Sequence, residues 1–170
     1  MKTIASALIC LSTFFISAQE TIVQNDIKGL LGYNQQQITS LGETFSEEQY
    51  GWRPAEGVRS VGEVLLHVAS TNYYITSKLG FAPPEDVNIM TIETITGKAQ
   101  ILATLKNSFD FVQAHLGELS SENFAKEVDL GFMKMDELSC MLLILDHSGE
   151  HKGQLIAYAR SNGITPPWSK

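Results

Sequence analysis

The sequence predicts an all-α fold, and three observations carry the prediction. Four long segments place apolar residues at helical spacing, the stretches between them are short and rich in Gly, Pro, Ser and Asp, and no segment sustains the alternation of a half-buried strand. The chain has 170 residues, 44% of them hydrophobic, which is enough for one compact domain with its own core.

The N-terminal segment stands apart from that domain. Lys2 is followed by an apolar run from Ile4 to Ile16 and then by Ser17-Ala18-Gln19, the pattern of a secretory signal peptide over residues 1–18. From Ile4 to Ala18 the run is short of the ~20 residues that span a bilayer, so the expectation is cleavage and export to the periplasm or medium, with no membrane insertion afterwards. Cys10 is not a lipidation site on this reading, because Ala7 rather than leucine precedes it by three and the apolar run continues past it. Residues 19–170 then form the domain.

Helix one is predicted from about Thr21 to Glu43, with Ile22, Ile27, Leu30, Leu31, Ile38 and Leu41 on its apolar face. The turn FSEEQYGWRPAEGVR follows. Helix two starts at Ser60, where Ser60-Val61-Gly62-Glu63 fits a capping box, and ends near Gly80. After FAPPEDVN, helix three runs from about Lys98 to Leu116. Helix four runs from about Glu137, capped by Asp136, to Asn162 before Gly163. LGETFSEE at 41–48 echoes LGELSSEN at 116–123. The echo would make the bundle two related helical hairpins, although any helix end favours the same residues.

Charge and cysteine content narrow the function. The net charge is −7 and the lysines and arginines are scattered singly, so nucleic acid is not an expected partner. Once residues 1–18 are removed only Cys140 remains, which excludes an intrachain disulfide. Stability must come from packing or metal.

Helix four carries the most specific signal, DHSGEHKGQL at 146–155. Cys140, Ile144, His147, His151, Leu155 and Tyr158 share one face, so both imidazoles point toward the core. A second face, Leu138, Leu142, Leu145, Gly149, Gly153 and Ile156, predicts burial on two sides, by another helix and by a partner subunit in a homodimer. Histidines at i and i+4 can bridge one divalent ion, whereas two packed imidazoles would each leave nitrogens to satisfy at about 1–3 kcal/mol. His147 to His151 also fits H-x-x-E-H, but no Asp, Glu, His or Cys follows His151, so a protease of that pattern lacks its last ligand.

A third ligand must lie upstream. His67 on helix two is the natural candidate, whereas His115 reads as a solvent-facing cation at the end of helix three. On an ideal wheel His67 stands about 120° from the apolar stripe, which suits the rim of a cleft between helices two and four and equally suits a simple exposed histidine. Glu63, Asp146 and Glu150 are candidates for orienting the ligands or moving protons, against the plainer reading of solvated helix acids. Gln154 is a further candidate near the site. Trp52, Pro54 and Tyr158 read as packing residues, Gly153 as a point of close helix approach, and Cys140 as a buried structural thiol.

WRPAEGVRSVGEVLLHVA at 52–69 together with DHSGEHKGQLIAYARSNGITPP at 146–167 resembles the DinB/YfiT-like superfamily of metalloenzymes, the damage-inducible helical family and not the like-named DNA polymerase. The resemblance spans Thr21 to Pro167 and implies a four-helix bundle, often dimeric, with one divalent metal held by one histidine from helix two and two from helix four. Those roles fall on His67, His147 and His151. Characterised relatives include thiol transferases and a thiol-dependent isomerase, so the resemblance implies a metal-dependent transferase or hydrolase acting on an unidentified small molecule. The predicted leader departs from the cytosolic relatives and weakens the thiol-transfer reading, since a cytosolic thiol is scarce outside the inner membrane. Three imidazoles leave an open position that can activate water or a thiol, and they suit zinc, nickel or iron. The rival from another class is a noncatalytic metal- or ligand-binding protein of the cell envelope.

Overall fold

A computed structural model describes residues 22–169. The expected leader, residues 1–18, lies outside them. Four α-helices dominate: α1 (Ile22–Thr44), α2 (Val61–Lys78), α3 (Lys98–Leu116) and α4 (Glu137–Ser161). Short 3₁₀ segments lie at Glu48–Gly51, Ile89–Thr94 and Ser121–Asn123. Among the described residues, no helix is long and apolar enough to cross a membrane.

Among the described residues, one departure from an all-helical fold lies just before α4. Strands β1 (Glu127–Asp129) and β2 (Lys134–Asp136) pair antiparallel in the register Glu127–Asp136, Val128–Met135 and Asp129–Lys134. Three residues per strand are too few for period-two alternation to register in the sequence.

The helix ends follow their local chemistry. Ser60 Oγ accepts the Glu63 backbone N–H at 3.3 Å while Glu63 Oε2 accepts the Ser60 N–H at 2.7 Å, completing the capping box on α2. Asp136 Oδ1 accepts the Ser139 N–H at 2.6 Å and caps α4. After α4, Gly163 takes φ +72°, the left-handed conformation that glycine adopts without penalty. The start of α3 is fastened to the end of α1, since Lys98 donates its backbone N–H to Glu47 Oε1 and its ammonium to the carbonyls of Glu43 and Phe45.

Around the bundle the helices run α1, α3, α2, α4, so α2 packs against α3 and α4 while α1 packs against α3 and α4. Helices consecutive in sequence are therefore mostly diagonal. The Leu-Gly-Glu echo marks two helix ends that each lead into a 3₁₀ turn, not two hairpins of adjacent packed helices. Leu31, Ile38, Leu41, Val64, Leu65, Leu105, Phe109, Met141 and Leu155 form the centre and are fully buried.

The predicted face of α1 needs correcting, because Ile22 and Leu30 are 53% and 56% exposed. Leu30 stands 100° from Leu31, off the stripe of Ile27, Leu31, Asn34, Ile38 and Leu41, and Ile22 is the first residue of the helix. Polar residues complete the stripe: Gln24 donates to Leu119 O, and Asn34 donates to Ser148 Oγ at 2.8 Å while accepting from Lys152 Nζ. On the second face of α4, Leu138, Leu145 and Ile156 pack against the core, whereas Leu142 is 47% exposed and Gly153 is also exposed. A Cβ built on Gly153 would meet nothing within 4 Å, so it is not a close approach. The close approaches are Gly42, whose Cβ would stand 3.0 Å from Leu102 Cδ2, and Gly62, whose Cβ would stand 3.1 Å from Ile101 Cδ1.

Candidate metal centre

Because α2 and α4 are neighbours, the sideways direction of His67 becomes the direction of α4. His67 Nε2 lies 3.2 Å from His147 Nε2, and His151 Nε2 lies 3.1 Å from the same atom. All three nitrogens converge on one point. His147 and His151 come from successive turns of one helix face, and His67 closes the triangle from across the groove.

The partners of the other ring nitrogens decide what converges. Glu93 Oε1 lies 3.0 Å from His67 Nδ1, and a carboxylate can only accept, so Nδ1 carries the proton and Nε2 offers a lone pair. For His151 a chain of bonds gives the same answer. Tyr158 Oη donates to the Arg59 carbonyl at 3.0 Å, so it must accept from Gln154 Nε2 at 2.8 Å. That turns Gln154 Oε1 toward His151 Nδ1, 2.7 Å away, which therefore donates and leaves its Nε2 free. Among the described residues His147 Nδ1 is buried with no hydrogen-bond partner. Thr71, one turn beyond His67, places Oγ1 3.4 Å from His147 Nε2.

This donor set fits a divalent ion. Two imidazole nitrogens about 2.0–2.1 Å from one tetrahedral ion stand roughly 3.3–3.4 Å apart, near the separations observed. Without a cation, lone pairs would confront one another. Burial pushes the His147 imidazole down to about 3, helped by His151, His67 and Arg59, and burial also lowers His151. Both are thus held in the neutral form that a metal requires. The cluster can hold a metal ion.

The other predicted residues, Gln154 apart, fall elsewhere. Glu63 does not reach the histidines, because its carboxylate is engaged by the Ser60 N–H and by Arg53 at 3.0 Å, which hold it below the usual carboxylate range. Asp146 and Glu150 are exposed on the solvent side of α4, since i−1 positions stand 100° from their histidines. Gln154 lies against the cluster, hydrogen-bonded to His151. Tyr158 does more than pack: besides its edge-on contact with Trp52 at 5.2 Å, its hydroxyl fixes Gln154. His115 does not simply face solvent but stacks on Phe81 at 4.5 Å, meets Phe111 edge-on and pairs with Glu118. Cys140 is fully buried, and burial pushes its thiol up to about 11.

Glu93 and Thr71 were absent from the sequence reading. Thr71 sits four residues after His67, a helical spacing that could have revealed it. Glu93 lies in a 3₁₀ turn with no periodicity to betray it. A cavity of about 580 Å³ opens on the cluster and is walled in part by His67, His147, Thr71 and Glu93.

Comparison with known proteins places this geometry in context. Residues 30–155 match the profile of the family described as the DinB superfamily. YjoA of Bacillus subtilis (strain 168), described as an uncharacterized protein, is 28% identical over 130 residues, covering 74% of this chain and 81% of that protein. In the crystal structure of YjoA, a DinB-like protein, the fold matches with a TM-score of 0.68 at 25% identity, over 85% of this chain and 98% of that one. YfiT from Bacillus subtilis, described as "a probable metal-dependent hydrolase with an unusual four-helix bundle topology", matches with a TM-score of 0.65 at 18% identity, over 84% of this chain and 89% of that one.

Proposed function

The chain belongs to the DinB superfamily, and from that membership and the histidine cluster we propose an exported, metal-dependent enzyme of transferase or hydrolase type, holding one divalent ion through His67, His147 and His151. The observation that carries the proposal is the convergence of three imidazole Nε2 atoms, two of them with tautomers set by outer partners, at the wall of a cavity. The description of YfiT as "a probable metal-dependent hydrolase" supports the same reading.

When bound, a divalent ion supplies an electrophile that makes water or a thiol nucleophilic near neutral pH. The chain's own residues do the rest. Glu93 and the Gln154–Tyr158–Arg59 chain hold two of the three rings in one orientation, with Nε2 turned toward the ion's place. Glu93 is the acidic residue in the cavity wall, where its second oxygen lies 3.6 Å from Arg59 and can accept or return a proton. Thr71 Oγ1 offers a hydroxyl beside His147.

One observation favours the noncatalytic reading. Glu63 is committed to a cap, and Asp146 and Glu150 face solvent, which leaves Glu93 as the one acid among the described residues of the wall. The two readings separate on protein loaded with Co(II). For an enzyme, azide should shift the visible absorption, and His151→Ala should lose both that response and turnover on a panel of esters, amides and thiol-acceptor pairs while keeping its helical circular dichroism. A spectrum unmoved by saturating azide sinks the enzyme reading. Export is tested separately by the intact mass of protein recovered from the periplasm of an expressing bacterium. Loss of residues 1–18 is expected, and a full-length mass confined to the cytoplasm would refute it.

A further inference from the structure

The cavity beside the histidines is larger and more apolar than metal binding needs. At about 580 Å³ it falls in the range of small-molecule sites, and Ile75, Ile89, Met90, Phe132 and Leu143 provide much of its wall. Among its lining residues none is Lys or Arg, and the polar groups are largely committed. Glu93 holds His67, and Tyr74 Oη donates to the Leu130 carbonyl at 2.6 Å.

Two lips of the cavity are apolar side chains left in water, Met90 at 88% exposed and Phe132 at 70%. Neither hangs from an unsupported loop. Met90 sits in the 3₁₀ turn whose start is fixed by its own N–H bonding to Asn88 Oδ1 at 3.0 Å. Phe132 sits at the tip of the β1–β2 ribbon, where Gly131 takes φ +82° and donates to Asp129 Oδ1 at 2.7 Å, while Leu130 donates to Met133 O at 2.9 Å. The Tyr74 bond to Leu130 fastens this tip to α2, on the cavity side. A tip built and anchored to hold Phe132 in solvent makes sense if something apolar comes to cover it.

Resting on the metal-centre reading above, we propose that the substrate carries an uncharged apolar body, aliphatic or aromatic, which fills this cavity under Phe132 and Met90 while its polar reacting end meets the histidines. A bulky hydrophilic or anionic body would leave its polar groups unpaired against these walls. The transferred or hydrolysed group is therefore on a lipophilic molecule, and a large hydrophilic thiol is not the occupant of this cavity.

The test is a chain-length series on purified Co(II)-loaded protein: straight-chain alkyl hydroxamates from acetyl to octanoyl, followed by visible absorption. Affinity should rise about threefold per methylene, several hundredfold across the series. In Phe132→Asp the gain with length should collapse while acetohydroxamate binding stays as in wild type. Equal affinity across the series, with acetohydroxamate bound, overturns the proposal and leaves the metal centre standing. N-phenyl-1-naphthylamine, a neutral fluorophore, reads the cavity without metal. Saturable fluorescence enhancement in wild type, lost in Phe132→Asp, supports the apolar site even in protein that takes up no Co(II), and no enhancement in wild type overturns it.

Discussion

Purified protein should carry about one divalent metal ion per chain, and His67→Ala or His147→Ala should each bring that figure close to zero. Elemental analysis of protein without a histidine tag checks it. The expectation follows from the lone pairs. Glu93 and Gln154 each accept a hydrogen bond from the Nδ1–H on the far side of a ring, so the near sides of His67 and His151 present bare Nε2 atoms to His147 at 3.2 Å and 3.1 Å. The single N–H of a neutral His147 ring could point at only one of those two atoms, and burial pushes that imidazole down to about 3, so no second proton joins it at ordinary pH. A metal ion relieves both. Removing one ring leaves two ligands, too few for a stable site, so the loss should be near complete and not graded. Retention of helical circular dichroism in each variant separates loss of the ligand from loss of the fold. No metal in wild type, even after reloading with zinc, nickel or iron, would overturn the centre.

Gln154→Leu should weaken metal binding about 10–100-fold while leaving all three histidines in place. The amide oxygen of Gln154 is what fixes the His151 tautomer, and it is itself fixed from behind by Tyr158 and the Arg59 carbonyl. Leucine keeps the bulk but leaves His151 Nδ1 without an acceptor, so the ring no longer prefers to offer Nε2. Tyr158→Phe should have a smaller effect in the same direction, because the amide is then free to turn over. Competition with a chromophoric chelator measures both. A wild-type affinity in Gln154→Leu would show that packing alone orients His151.

Much of this protein is determined by local sequence. The bounds of α3 coincide with those the periodicity predicts, the Ser60 box and the Asp136 cap form as written, and the face carrying His147 and His151 turns inward. These features depend on neighbours within about one turn, where i, i+3 and i+4 spacing fixes geometry regardless of the rest of the chain. The same capping box, with Arg53, engages the Glu63 carboxylate, which the sequence offers as a candidate beside the ligands and the structure keeps away from them. The DinB resemblance rested on residues of just this kind, on the capped start of helix two and the histidine turn of helix four.

Tertiary structure decided the rest. His67 stands off the apolar stripe of its own helix, and only the order α1, α3, α2, α4 makes that direction face His147 and His151. Glu93 reaches His67 from a 3₁₀ turn 26 residues away, and the Phe132 lip of the cavity depends on Tyr74 anchoring a ribbon 56 residues further along. Gly42 and Gly62, not Gly153, allow close approach, because what matters is the side chain opposite. Each depends on which surfaces of four helices pack together, a cooperative outcome of the whole core that no window of a few residues contains.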